Sequence, residues 1–202
     1  MHQQRKKQNT DIFVIIINCL YISSLLNKFL KRLALILLIL CISAISLKAE
    51  TGNKVDSLLK VLLKEIPDTL RINILNDIAK AVIVYPDSSY QYASRALDLS
   101  KKNSFNRGLA KAYANIGEIY NAKGSYNLAL KHLYEAYKIY EQSGNKKGMN
   151  KVMNSIGNTH LGNKDNGKAL IAFRLCYAIG IESKDTSAIA LSSFGIGNIY
   201  GT

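Results

Sequence analysis

Proline and tryptophan are nearly missing from this chain, which has two prolines (Pro67 and Pro86) and no tryptophan in 202 residues. Proline is the strongest breaker of a helical run, so its scarcity leaves almost the whole length open to helix. Cysteine is scarce as well. Cys19 and Cys41 lie in apolar runs and Cys176 stands alone; with no Cys-x-x-Cys pair, neither a cysteine zinc site nor a thioredoxin-type dithiol is indicated. Acidic side chains number 14 against 27 Lys and Arg, giving a net charge of +13, of which residues 1–49 carry +6 and residues 50–202 carry +7. A field of that sign attracts nucleic acid or anionic lipid. Here, however, basic and acidic residues are interspersed and form no stripe with interleaved aromatics. The pattern is that of a solvated mixed-charge surface, and no nucleic-acid partner is expected.

Catalytic signatures are missing too. The chain has no phosphate-binding glycine loop, no Gly-x-Ser-x-Gly elbow, no His-Glu-x-x-His and no kinase motif. Gly195 and Gly197 are two residues apart but follow no predicted strand, and His132 and His160 are separated by an inter-helix turn and read as packed side chains. The twelve tyrosines recur mostly at helical core spacing, so they fit packing better than a base-stacking platform. Non-enzymatic function is expected, with no catalytic residue, cofactor or metal.

What the chain does contain is a fixed spacing. Ile116-Gly117-Glu118-Ile119-Tyr120 returns forty residues later as Ile156-Gly157-Asn158-Thr159-His160, and forty later again as Ile196-Gly197-Asn198-Ile199-Tyr200. A period of this length signals a stacked repeat array, which works by presenting an extended surface. Two regions are expected: 1–49, a signal peptide or membrane anchor, and 50–202, the repeat body. The first holds two apolar runs, Ile12–Leu26 and Leu33–Leu47, both shorter than the ~20 residues of a membrane-spanning helix. The basic block Lys28–Arg32, the second run and Leu47-Lys48-Ala49 read as a secretory signal with cleavage after Ala49. On that reading, translation starting near Asn27 explains the extra run upstream. The rival is an uncleaved anchor, attached through residues 12–47 with the basic block held in the cytoplasm. Both put the repeats outside the cytoplasm, in the periplasm or on a membrane; a cytoplasmic body follows only if Arg5, Lys6 and Lys7 set the orientation.

Beyond Glu50 the apolar spacing predicts consecutive amphipathic helices. Val55–Leu63 forms one, ended by Pro67, and 70–84 the next, capped by Asp68 or Thr69. A third runs through Tyr90–Leu99, with Asp87 and Ser88 as capping oxygens. Regular pairs follow over 109–122 with 125–142 and over 147–161 with 166–182, and a last helix begins near Asp185 and is still running at Thr202. Gly117, Gly157 and Gly197 on the first helices, and Ala129 and Ala169 on the second, are expected to let paired helices approach closely, with Tyr113, Ile116, Tyr120, Leu133, Met153, Ile156 and Phe173 filling the surrounding space.

Tyr113, Ile116, Gly117, Tyr120, Gly124, Tyr126, Ala129, Leu133 and Ala136 together resemble the tetratricopeptide repeat. Met153, Ile156, Gly157, His160, Ala169, Phe173 and Cys176 form a second copy, Ile196, Gly197 and Tyr200 a third, and Ile78, Ala79, Ser89, Ala93 and Ala96 a weaker forerunner. The period departs from the family's thirty-four, and its closing proline is absent. The resemblance implies an all-α, right-handed superhelical array of antiparallel helix pairs, an α-solenoid preceded by an apolar segment, that binds a protein or peptide. A forty-residue version behind a signal sequence also looks like the sensory region of bacterial histidine kinases or transcription regulators, the alternative function. By resemblance, first helices line a concave groove. Its candidate contacts are Asn73, Asn76, Lys80, Lys111, Glu118, Lys151, Asn154, Asn158, Phe194 and Asn198, the asparagines being able both to donate to and accept from an extended backbone. The apolar last helix carries a further expectation, either continuation in a longer protein or self-association through this edge, because terminal repeats need a polar outer face.

Overall fold

The computed structural model describes residues 54–201, so the expectations for residues 1–49 lie outside the described residues. All regular structure in the described residues is helical. Helix α1 covers 54–62, followed by α2 (Asp68–Ala81), α3 (Pro86–Lys102), α4 (Asn106–Ala122), α5 (Tyr126–Gln142), α6 (Lys146–Gly162), α7 (Asn166–Ser183) and α8 (Thr186–Tyr200). Each of α2 to α7 packs on the next in sequence, and α2, α4, α6 and α8 also touch in succession. This is a superhelical stack of helix pairs with first helices side by side. None of the described helices is long and apolar enough to cross a membrane.

The turns explain the regularity. Ser104, Gly124, Gly144, Lys164 and Lys184, spaced every twenty residues, all adopt left-handed backbone with φ between 51° and 73°. After each, an amide reaches back to a carbonyl five residues earlier, as in Ser125 to Tyr120 (2.8 Å) and Asp165 to His160 (2.9 Å). This is the Schellman closure, which satisfies carbonyls left open at a helix end. Asn145, Asp165 and Asp185 then cap the following helices, each side chain accepting from the amide three residues on at 3.0–3.1 Å.

Several expected boundaries move. The N-caps of α2 and α3 are Pro67 and Tyr85, neither with a side-chain bond, in place of Asp68, Thr69, Asp87 or Ser88. Pro86 takes the first helical position, where a missing N–H loses no intrahelical bond. Helix α2 stops at Ala81 because Val82 closes it, α4 begins three residues before Leu109, and α8 ends at Tyr200 with Gly201 following.

The core shows why the glycines recur. A Cβ on Gly117 would stand 2.6 Å from Leu133 Cγ, and one on Gly157 2.6 Å from Phe173 Cε1. Leu133 and Phe173 are fully buried, as are Ala129 and Ala169. Gly197 breaks the expectation: nothing lies within 4 Å of its Cβ position, and Gly195 instead meets Phe173 at 2.6 Å. Phe173 is thus held between α6 and α8. The forerunner pair is genuine, for Ile78, Ala79, Ala93 and Ala96 are buried, and Ser89 Oγ donates to the Ala79 carbonyl at 2.7 Å, tying α3 to α2.

Candidate functional site

First helices lie side by side because each is covered on one face by the second helix of its pair, which leaves polar side chains along the other. Two adjoining cavities run there. One of about 190 Å³ is lined by Asn76, Lys80, Lys111, Asn115, Glu118 and Lys151 among others. The other, about 420 Å³, is lined by Lys80, Glu118, Asn150, Lys151, Asn154 and Leu191 among others. Lys80, Glu118 and Lys151 belong to both, so the two form a continuous groove across α2, α4, α6 and the start of α8.

The ten candidates from sequence fall into two sets. Asn76, Lys80, Lys111, Glu118, Lys151 and Asn154 line the groove, and Asn73 stands at its margin, where its Oδ1 accepts from Lys111 Nζ at 3.4 Å. Asn158, Phe194 and Asn198 are exposed beyond the lining residues, Phe194 at 69%. Asn76 is 2% exposed and already engaged: its Nδ2 donates to the Ile72 and Gly108 carbonyls, both at 3.2 Å, and its carbonyl accepts from Asn115 Nδ2 at 2.9 Å. It ties α2 to α4 more than it offers itself to a ligand.

Sequence reasoning did not find Asn115, Lys147, Asn150, Ser155 or Asp185, which line the same groove. A signal for Asn150 was present, since the positions forty residues to either side are Ala110 and Ala190. An amide where the repeat uses alanine is not needed for packing. Asn150 is 1% exposed and its Oδ1 is buried without a donor. Buried polar atoms are normally satisfied, so such an exception calls for an explanation.

The groove's charges are unequally used. Glu118 accepts from Ser155 Oγ at 3.0 Å, and Asp185 caps α8. Ion pairs among the described residues lie elsewhere, at Lys123–Asp87, Lys146–Glu182 and Lys168–Asp165, leaving the ammonium groups of Lys80, Lys147 and Lys151 without a carboxylate partner. Burial pushes the Cys176 thiol up to about 11. The thiol therefore stays protonated at neutral pH and donates to the Asn150 carbonyl at 3.4 Å; it is a packing group and not a nucleophile. Burial likewise raises the Tyr140 hydroxyl. No group of three or more metal-binding side chains occurs among the described residues.

Paired antiparallel helices, close-packed through glycine and presenting a polar groove along their first members, define a helical-repeat scaffold. Residues 108–182 match the tetratricopeptide repeat model and belong to that family. Solved structures agree on the fold. A Rap protein complexed with competence and sporulation factor superposes with a TM-score of 0.69 at 20% identity, over 76% of this chain and 44% of that one. Aspartyl phosphate phosphatase F from Bacillus subtilis gives 0.67 at 16% identity, over 75% and 43%. BtubC from P. vanneervenii gives 0.65 at 14% identity, over 76% and 66%. The chain spans less than half the length of the first two. No curated protein matches it by sequence.

Proposed function

We propose that the repeats are a non-enzymatic scaffold that binds an extended segment of a partner protein in the groove across α4, α6 and α8. One observation carries this reading: lysines and a buried amide converge on a continuous groove with hydrogen-bonding capacity that the fold leaves unused. An extended peptide offers alternating N–H and C=O groups along its length, and Asn150, Asn154 and Ser155 are of the residue types that receive them. The Rap protein of similar fold was crystallised in complex with a factor, which supports the scaffold reading without identifying a ligand.

Selection of the full chain against a random-peptide library tests this. Enriched peptides are expected, and the double variant Lys151→Glu with Asn154→Ala should lose them. No enrichment, or enrichment that survives both changes, would contradict groove binding. We further propose that residues 12–47 export or anchor the chain with its repeats outside the cytoplasm, on the strength of the short apolar runs flanking Lys28–Arg32. Protease added to spheroplasts, whose outer barrier is removed and whose inner membrane is sealed, should then degrade the repeats; full protection would contradict it.

A further inference from the structure

Two equivalent places along the array, away from the groove, are filled differently. Where α4 crosses α5, the His132 ring is stacked against both Tyr113 and Tyr120, with centroids 5.9 and 5.5 Å away and interplanar angles of 27° and 8°. Forty residues on, the same three positions hold Met153, Ala172 and His160. A methyl group has replaced the central ring. A cavity of about 210 Å³ opens there, floored by Met153, Ile156, His160 and Ala172 and flanked by Tyr134 from α5 and by Lys168, Ile171 and Leu175 from α7. It shares no lining residue with the groove.

The rim changes as well. Exposed Lys131 and Glu135 beside the filled place become Ile171 and Leu175 beside the open one, 68% and 41% exposed, while exposed Leu128 becomes Lys168, whose ammonium is paired with Asp165 at 2.8 Å. His160 itself is 6% exposed, and its Nδ1 is buried with no partner. A repeat that keeps its packing positions while placing two exposed aliphatic side chains beside a hole has the makings of an interaction site.

We propose that this cavity receives one planar aromatic side chain from a partner protein, seated against Met153 and His160 as His132 is seated against Tyr113 and Tyr120. The occupant is read from the molecule's own filled copy, in which a ring occupies this position. The volume agrees, being below the ~300–1,000 Å³ of small-molecule sites. A thioether against a ring edge and an imidazole against its face are both favourable contacts, and Ile171 and Leu175 form the apolar part of a rim that Lys168 completes.

The test is a titration of the full chain, methyl-labelled at methionine and isoleucine, with N-acetyl-tryptophanamide, using N-acetyl-leucinamide as control. Saturable shifts are expected at the Met153, Ile156 and Ile171 methyls with the aromatic probe and not with the aliphatic one. Ala172→His supplies the missing ring internally and should weaken the probe by about ten-fold or more. Ile171→Lys, which places the counterpart's side chain at an exposed position, should weaken it as well and serves if Ala172→His does not fold. The proposal is overturned if the aromatic probe gives no saturable shifts, if the leucine control matches it, or if the variants bind undiminished.

Discussion

His132 and His160 are the residues through which acid reaches this fold. Burial is the first cause holding both below the ordinary imidazole value; Lys131 lowers His132 further, against Glu135, while Asp165 raises His160, against Lys168. Each has a buried Nδ1 with no partner. A histidine whose folded pKa is depressed binds fewer protons in the native state than in the unfolded chain. Stability is therefore fully present above the unfolded value near 6.5 and declines as pH falls through it toward the folded values. Urea unfolding at pH 7.5 and 5.5 should show the loss. The double variant His132→Phe with His160→Tyr, the latter using the residue at positions 120 and 200, should flatten that slope. An unchanged slope would place the acid sensitivity elsewhere. Both histidines were read correctly from sequence as packed side chains, because they stand at helical core spacing. Their orphaned nitrogens were not legible, since hydrogen-bond partners come from other helices.

Among the elements, the turns carry the sharpest test. Lys164 adopts φ 59°, a left-handed conformation in which a Cβ crowds the following carbonyl by roughly 1–2 kcal/mol, whereas Gly124 and Gly144 meet the same need without strain. Lys164→Gly should therefore stabilise the fold by about 0.5–1 kcal/mol, read as a raised melting temperature; a drop would mean that the lysine side chain holds the turn. Asn145 accepts from the Gly148 amide at 3.0 Å to start α6, and Asn145→Ala should cost about 1 kcal/mol in chemical unfolding, with no loss meaning that the cap is dispensable. Gly124 and Gly144 fall in the gaps between the helices expected from sequence, and glycine takes a left-handed conformation without strain. Ser104, Lys164 and Lys184 have no such signature, and their geometry is imposed by the twenty-residue spacing of helix and turn. Caps show the same division. Pro67 and Pro86 drew attention to neighbouring Asp and Ser side chains, yet the chain enters α2 and α3 by proline-set backbone, and the side-chain caps appear at Asn145, Asp165 and Asp185.

For the whole molecule, the forty-residue recurrence of a glycine and a bulky apolar residue revealed the architecture. Gly117 with Leu133 and Gly157 with Phe173 mark where two helices nearly touch. The groove was half legible. Lys80, Lys111, Glu118, Lys151 and Asn154 could be found by register on the first helices, whereas hydrophobic register assigns Asn150 to the core, and only its contrast with Ala110 and Ala190 sets it apart. Gly197 shows the limit of reading by recurrence, for it repeats the motif at a place where none of the described helices packs against it. The same difference supplies the decisive measurement, the unfolding free energies of Gly157→Ala and Gly197→Ala. A methyl at 157 collides with the Phe173 ring and should destabilise by about 1–3 kcal/mol, while one at 197 meets open space and should stabilise by about 0.5–1 kcal/mol through helix propensity. Opposite signs are the predicted result; equal effects at the two positions would contradict nesting of the helix pairs through glycine.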